Sequence, residues 1–221
     1  MREKDNNGTV GKFSVALGLF DYINPVFYGI TVITVMIKMF SEMSMPVYIL
    51  FAVGAVLSLI FGLSIPTVKL LVGLGKMQFK MPVDLVSFVN TGILLSGMAL
   101  VSHVVNIKPL TLFAVLLCAA AIIGFLWYKT GKFNTVAVLI GAVGYLMIYA
   151  SMITLSVRKG MILPVVLYAL AICLFVFLCL VGILSDLKNA KVHWVIEISN
   201  VVCQFSVALA TVILLCGQTA V

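Results

Sequence analysis

Charge is the scarcest property of this sequence. Only 10% of its 221 residues are Asp, Glu, Lys or Arg, and only seven residues are acidic. A soluble globular domain is about one-quarter charged and about half apolar. Here 63% of the residues are hydrophobic and the mean hydropathy is +1.26. The composition excludes an ordinary soluble domain and predicts an integral membrane protein.

Histidine is also scarce, and the common motifs of enzyme chemistry are missing. The chain has two histidines, His103 and His193, and it contains no HExxH motif, GxSxG motif or phosphate-binding loop. Two histidines are too few for the multi-histidine metal sites of intramembrane hydrolases. The absent motifs are those that mark zinc proteases, serine hydrolases and nucleotide-binding enzymes. The five cysteines lack CxxC spacing, so we interpret them as small apolar residues. We expect no enzyme, no metal site and no cofactor.

Long apolar runs dominate the sequence instead. A helix of about 20 residues crosses a hydrocarbon core of ~30 Å. Seven runs reach this length, with short connections between them: 13–37, 46–68, 82–103, 109–127, 134–156, 162–185 and 194–215. The sequence therefore predicts an all-α, polytopic bundle of seven transmembrane helices. It forms a single transmembrane domain over residues 1–221, with a short cytoplasmic tail at 1–12.

Lysine and arginine indicate the orientation of the bundle. Ten lie in the N-terminal tail and after the second, fourth and sixth spans, and four lie on the opposite side. Because basic residues favour the cytoplasmic side, this bias predicts a cytoplasmic N-terminus and an external C-terminus. The net charge of +7 then reflects contact with anionic lipid and not with nucleic acid. We expect a plasma membrane, most simply a bacterial inner membrane.

The longest predicted connection is "KLLVGLGKMQFKMP", residues 69–82. Lys69, Lys76 and Lys80 alternate there with apolar side chains, a pattern typical of a segment lying on the inner leaflet. A docking loop for a cytoplasmic partner is the alternative. In either interpretation, Lys69 is expected at the membrane surface.

A parallel internal repeat is indicated by the third and seventh spans. At an offset of 110 residues, "VSFVN" lies over "IEISN", which pairs Asn90 with Asn200, and Ser96 falls opposite Ser206. Spans four apart run in the same direction, so the repeat would be a three-plus-one-plus-three arrangement, which is known among transporters.

This plan resembles that of the SWEET sugar transporters, which pair asparagines on corresponding helices of two three-helix repeats. Here those asparagines would be Asn90 and Asn200. The resemblance is limited to the plan. The fifth span lacks the hinge proline of that family, "NPVFYG" stands where its relatives have a proline–glutamine pair, and the charge bias gives the opposite orientation.

Polar residues in the first span share one helical face. At 100° per residue, Asn24, Tyr28 and Thr31 fall within about 80° of Asp21. Pro25 has no N–H for the Asp21 carbonyl, so a kink or break is expected there. A carboxylate inside a span is costly unless it is protonated, paired or hydrated. This pattern predicts a proton or cation site at Asp21, and an acid that merely complements a helix N-terminus is the alternative.

The seventh span carries a narrower polar face. His193, Glu197, Asn200, Gln204 and Thr211 fall within about 60° of one another. Amides in this position bind a polar solute or form hydrogen bonds between helices. We interpret Glu197 and His193 as a cytoplasmic gate or proton relay.

The third span has a broader polar face with Asn90 at its edge, and this asparagine needs a partner outside its own helix. Together these faces predict a cavity lined by the first, third and seventh spans. It would bind or transport a small polar solute or ion, with proton or cation coupling. We expect the solute to contact Asp21, Asn24, Tyr28, Asn90, Asn200 and Gln204. The alternative is a non-transporting membrane subunit whose polar faces contact a partner protein.

Overall fold

The computed structural model describes residues 14–76, 83–130, 133–184 and 190–217. Every regular element in these ranges is an α-helix, which confirms the predicted all-α class. The helices are α1 (Val15–Asp21), α2 (Ile23–Lys38), α3 (Met45–Gly73), α4 (Val83–Val105), α5 (Pro109–Thr130), α6 (Phe133–Arg158), α7 (Ile162–Leu184) and α8 (Ala190–Cys216). The first two form the first predicted span, and the other six follow the remaining spans in order. The tail at 1–12 lies outside the described residues.

Among the described residues, six segments are long and apolar enough to cross a membrane: Val15–Lys38, Met45–Gly73, Leu85–Val105, Val136–Arg158, Ile162–Val181 and Trp194–Cys216. Many large apolar side chains face outward, as contact with lipid requires; Ile37 is 69% exposed and Ile162 is 78% exposed. The chain is therefore a multi-pass membrane protein. In the fourth predicted span, the described side chains form an apolar stretch over Ala114–Leu126 only. This stretch is shorter than each of the six segments. A seventh crossing by α5 stays a prediction.

The first span is interrupted where its proline predicts an interruption. The side chain of Ser14 caps α1 by accepting a hydrogen bond from the Leu17 N–H at 3.1 Å. The helix then stops at Asp21, and α2 begins at Ile23 after a single residue. Pro25 cannot donate a hydrogen bond to the Asp21 carbonyl, which accounts for the break at this point. Asp21 and Asn24 thus flank a discontinuity inside the span.

Six helices form a closed ring. Helix α2 packs on α3, α3 on α4, α4 on α6, α6 on α7, α7 on α8, and α8 packs back on α2. Helix α5 packs on α6, outside the ring. A half-turn of this ring would exchange the first three spans with the last three, and α5 would connect the two halves. The predicted three-plus-one-plus-three repeat agrees with this order.

Small residues let α4 approach its neighbours closely. A Cβ atom added to Gly97 would lie 2.6 Å from the carbonyl oxygen of Gly144 on α6. On the opposite side, a Cβ atom added to Gly92 would lie 2.5 Å from the carbonyl oxygen of Gly54 on α3. Close packing of this kind is a main source of helix association in lipid, where no hydrophobic effect drives helices together.

Candidate functional site

Three charged side chains from three helices meet inside the ring. Lys69 of α3 places its Nζ 2.7 Å from Asp21 Oδ2 and 2.7 Å from Glu197 Oε1. The exposed fractions of the side chains are 15% for Lys69, 8% for Asp21 and 7% for Glu197. We call Asp21, Lys69 and Glu197 the charged triad. It joins α1, α3 and α8 through strong, charge-assisted hydrogen bonds.

Asn24 completes the cluster from the first turn of α2. Its Nδ2 donates to Asp21 Oδ1 at 3.0 Å and to Glu197 Oε2 at 3.3 Å. These two bonds fix the orientation of the amide, because only the nitrogen can donate to carboxylates. The Asn24 Oδ1 atom is buried and has no hydrogen-bond partner among the described residues. A buried acceptor without a partner is rare and requires an explanation.

Helix α3 brings Lys69 to this position by continuing past the predicted end of its span. The helix ends at Gly73 and keeps Pro66 in its interior. That proline leaves the carbonyl of Gly62 without its usual helical donor, and both residues line the adjoining cavity. Lys69 therefore lies within the helix and points between α1 and α8, where the two acids bind its ammonium group.

A cavity of about 220 Å³ adjoins the charged triad. Its polar end is formed by the triad and Asn24, and amide and phenol groups follow further along α8 and α6. The lining residues are Asp21, Asn24, Pro25, Tyr28, Ser58, Gly62, Ile65, Pro66, Lys69, Val89, Ile93, Tyr145, Ile196, Glu197, Asn200 and Gln204. The cavity combines a charged end, hydrogen-bonding groups and an apolar wall.

A second, much smaller cavity of about 20 Å³ continues from the first. Tyr28, Tyr145 and Gln204 line both cavities and therefore lie between them. Gln204 Nε2 donates to the Tyr145 hydroxyl at 3.5 Å. Among the described residues, the buried Tyr28 hydroxyl has no hydrogen bond of normal geometry, although the Ser58 and Ser96 side chains lie close to it.

Most of the residues predicted to contact a solute lie at one place. The structure brings Asp21, Asn24, Tyr28, Asn200 and Gln204 to the main cavity, and Glu197 joins them there. The polar face of the seventh span continues to Thr211. The Thr211 and Tyr168 hydroxyl groups form a hydrogen bond of 2.7 Å, in which either group can be the donor. The side chain of His193 lies outside the described residues.

Asn90, which the sequence placed with these residues, is not among those that line this cavity. Its side chain packs instead against α6, where a Cβ atom added to Gly141 would overlap the Asn90 amide. Helix α4 contributes apolar Val89 and Ile93 to the cavity, so the third span does not supply a polar wall. The lining comes mainly from the first, second and seventh spans. The periodicity of Asn90 showed a polar face but not which neighbouring helix that face contacts.

Lys69 is the member of the charged triad whose position the sequence did not predict. It was expected on the membrane surface, because its predicted span ended at residue 68 and other lysines follow. The signal that could have located Lys69 was the presence of Asp21 and Glu197 in predicted spans without a basic partner. Charges in a bilayer are paired or hydrated, and Lys69 is the first basic residue that continuation of the second span would bury.

Comparison of the chain with protein-family models, curated proteins and solved structures finds no match. Two carboxylates face one ammonium group, so the triad has one negative charge in excess when all three groups are ionised. Inside a bundle of low dielectric constant, such an excess favours a further proton or cation. The arrangement can therefore bind a further positive charge next to a cavity.

Proposed function

We propose that this chain is a small membrane transporter that binds a small polar solute in the main cavity and couples its movement to a proton or cation. Asp21 would carry the exchangeable positive charge. Tyr28, Asn200 and Gln204 would form hydrogen bonds with the solute. Glu197 and Lys69 would form the gate at the charged end, and the proposed membrane is a bacterial inner membrane with the N-terminus in the cytoplasm.

The inward position of the charged triad is the observation that supports this proposal. Burying charge within a bundle is costly, and intramembrane ionisable residues commonly mark solute or ion pathways. In a scaffold subunit, the polar faces of the first and seventh spans would contact a partner protein. Here Asp21, Asn24, Glu197 and Gln204 are at most 7% exposed and surround a cavity within one chain. That placement favours transport.

Cysteine accessibility tests whether the cavity is open to water. In a cysteine-free background, we expect Asn200→Cys to react with a small, charged, water-soluble thiol reagent. Val202→Cys is the matched control, because Val202 is 43% exposed on the outer face of the same helix and would face lipid. Asn90→Cys should also be protected by its packing on α6. If Asn200→Cys reacts no faster than Val202→Cys, the cavity is closed to water and the scaffold alternative is preferred.

Transport itself can be measured with the purified chain in liposomes that contain a pH-sensitive dye. A panel of small amines, amides, sugars and amino acids would be added one at a time. We expect at least one solute to change the internal pH in liposomes containing the wild-type protein but not in empty liposomes. Asn200→Leu and Gln204→Leu should reduce the rate. A panel that gives no change over empty liposomes, with a water-accessible cavity, would count against coupled transport.

A further inference from the structure

We propose that the solute is a small organic monocation of the primary ammonium class, whose charged end binds Asp21 and Glu197 in exchange for the coupling proton or cation. This inference rests on the proposed function and names the class of its solute. Three features of the cavity lead to it: the charge of its polar end, the two carboxylates that Asn24 holds side by side, and its size and lining.

The net charge at the polar end of the cavity indicates a monovalent solute. The polar end of the cavity holds two carboxylates and one ammonium group, so one added positive charge would make it neutral. Within the part of the chain that the structure describes, no three His, Cys, Asp or Glu side chains come together to hold a metal ion. Ca²⁺ and Mg²⁺ normally require six or more oxygen ligands, including water. A monovalent cation fits the excess charge better.

The two carboxylates indicate that the cation carries hydrogen-bond donors. Asn24 holds these carboxylates side by side at the polar end of the cavity, since its Nδ2 donates to both. Carboxylate oxygens accept hydrogen bonds, and an ammonium group has three N–H donors, enough to contact both carboxylates at once. A quaternary amine has none.

The ammonium group of Lys69 already demonstrates the required geometry. Its Nζ contacts both carboxylates at 2.7 Å, as the charged end of a primary amine would do. Each carboxylate oxygen has two lone pairs, and the bonds to Lys69 and Asn24 use one on each of the four oxygen atoms. Acceptor capacity therefore remains for a second ammonium group beside that of Lys69.

Size and lining indicate an organic body attached to this charge. The cavity volume of about 220 Å³ far exceeds that of one water molecule, about 30 Å³, so a bare ion would leave most of it empty. Ile65, Val89 and Ile93 form an apolar wall, and Tyr28 and Tyr145 stand at the far end. Apolar side chains around a few polar groups are typical of sites for small molecules, and aromatic faces also attract cations.

Binding of three simple probes to the purified full-length chain tests the inference. By calorimetry in detergent, we expect n-propylammonium chloride to bind at least about tenfold more tightly than 1-propanol or sodium chloride at equal ionic strength. Asp21→Asn and Glu197→Gln should each weaken propylammonium binding by about tenfold or more. Glu42→Gln is the matched control, since Glu42 is exposed in the turn between α2 and α3, and it should leave the affinity unchanged. Equal affinity for sodium or for 1-propanol would overturn the assignment.

A steric variant tests the location without altering any charge. A Cβ atom added to Gly62 meets nothing within 4 Å, and Gly62 lines the cavity. We expect Gly62→Leu to fold normally, fill part of the cavity and weaken propylammonium binding by about tenfold or more. Unchanged affinity in folded Gly62→Leu would overturn the inference, because the amine would then bind elsewhere. If propylammonium does not bind while Asn200→Cys is accessible and another solute changes the internal pH, only this inference fails and the proposed function stands.

Discussion

Lys69 and Glu197 are 128 positions apart in the sequence, yet Lys69 Nζ lies 2.7 Å from Glu197 Oε1. The same nitrogen is 2.7 Å from Asp21 Oδ2. One lysine therefore connects α3 to both the first and the last spans of the ring. Because each partner is buried, the energetic consequence of losing any one charge depends on which charge is left unpaired.

Lys69→Met is predicted to destabilise the protein strongly. The change leaves two buried carboxylates without a cation, and breaking a buried ion pair from one side typically costs ~3–5 kcal/mol. We expect a clear fall in the temperature at which the detergent-solubilised chain loses its monodisperse peak after heating. Lys76→Met is the control, because Lys76 is exposed just beyond α3, and its profile should match that of the wild type.

The triple variant Lys69→Met, Asp21→Asn, Glu197→Gln should recover most of the stability lost in Lys69→Met. Replacing a whole buried ionic cluster by neutral groups of similar volume is often neutral for stability, whereas removing its one cation leaves two buried acids unpaired. The same heating assay measures this recovery. A triple variant as unstable as Lys69→Met would show that packing of the lysine side chain, and not its charge, stabilises the site.

The sequence predicted the helices and their inward faces because these depend on local periodicity. The polar residues of the first and seventh spans converge as their 100° spacing indicates, and the break beside Pro25 follows from the missing N–H of proline. Lys69 was misplaced because a helix end is set by tertiary pairing. Five further residues of α3 stay helical where the apolar run had been expected to stop, and Lys69 binds two acids on distant helices.

Which helices face each other could not be read from periodicity either. Asn90 and Asn200 occupy matching positions in the predicted repeat, yet only Asn200 lines the cavity. The difference arises from Gly141, whose missing side chain gives the Asn90 amide space against α6. A polar face identifies a side chain that needs a partner, but the partner is set by the small residues of another helix.

Gly144→Ala is predicted to weaken the packing of α4 on α6. A Cβ atom at Gly144 would lie 2.6 Å from the backbone nitrogen of Leu94, too close for backbone to give way. Overpacking of this kind typically costs ~1–3 kcal/mol, seen as a lower unfolding temperature. Gly124→Ala on α5 is the matched control, since nothing lies within 4 Å of its added Cβ atom. It should be neutral or slightly stabilising, because alanine is favoured over glycine in helices by ~1 kcal/mol.

The topology prediction concerns α5. With 22 residues at about 1.5 Å per residue, α5 is long enough to cross a hydrocarbon core of ~30 Å. If it does, the C-terminus is external. When Lys69 is not counted because it is buried, nine basic residues remain on the predicted cytoplasmic side and four on the opposite side. The predicted orientation is therefore unchanged. A reporter that is active only outside the cytoplasm should therefore be active when fused to Val221. Activity of a cytoplasmic reporter at that position instead would mean an even number of crossings.

Asp21 provides the test that separates transport from structure. Asp21→Asn leaves Glu197 paired with Lys69, so the remaining charges balance and the ring should fold with an unfolding temperature close to that of the wild type. The excess negative charge is lost, however, and with it the capacity to exchange a proton or cation. We expect the solute-driven change of internal pH in liposomes to fall by about tenfold or more, whereas Asp21→Glu should retain part of it because the charge is kept at a shifted position. Glu42→Gln removes an acid from an exposed turn and should have no effect on the rate. A folded Asp21→Asn protein that transports at the wild-type rate would exclude Asp21 as the coupling residue and leave the triad with a purely structural role.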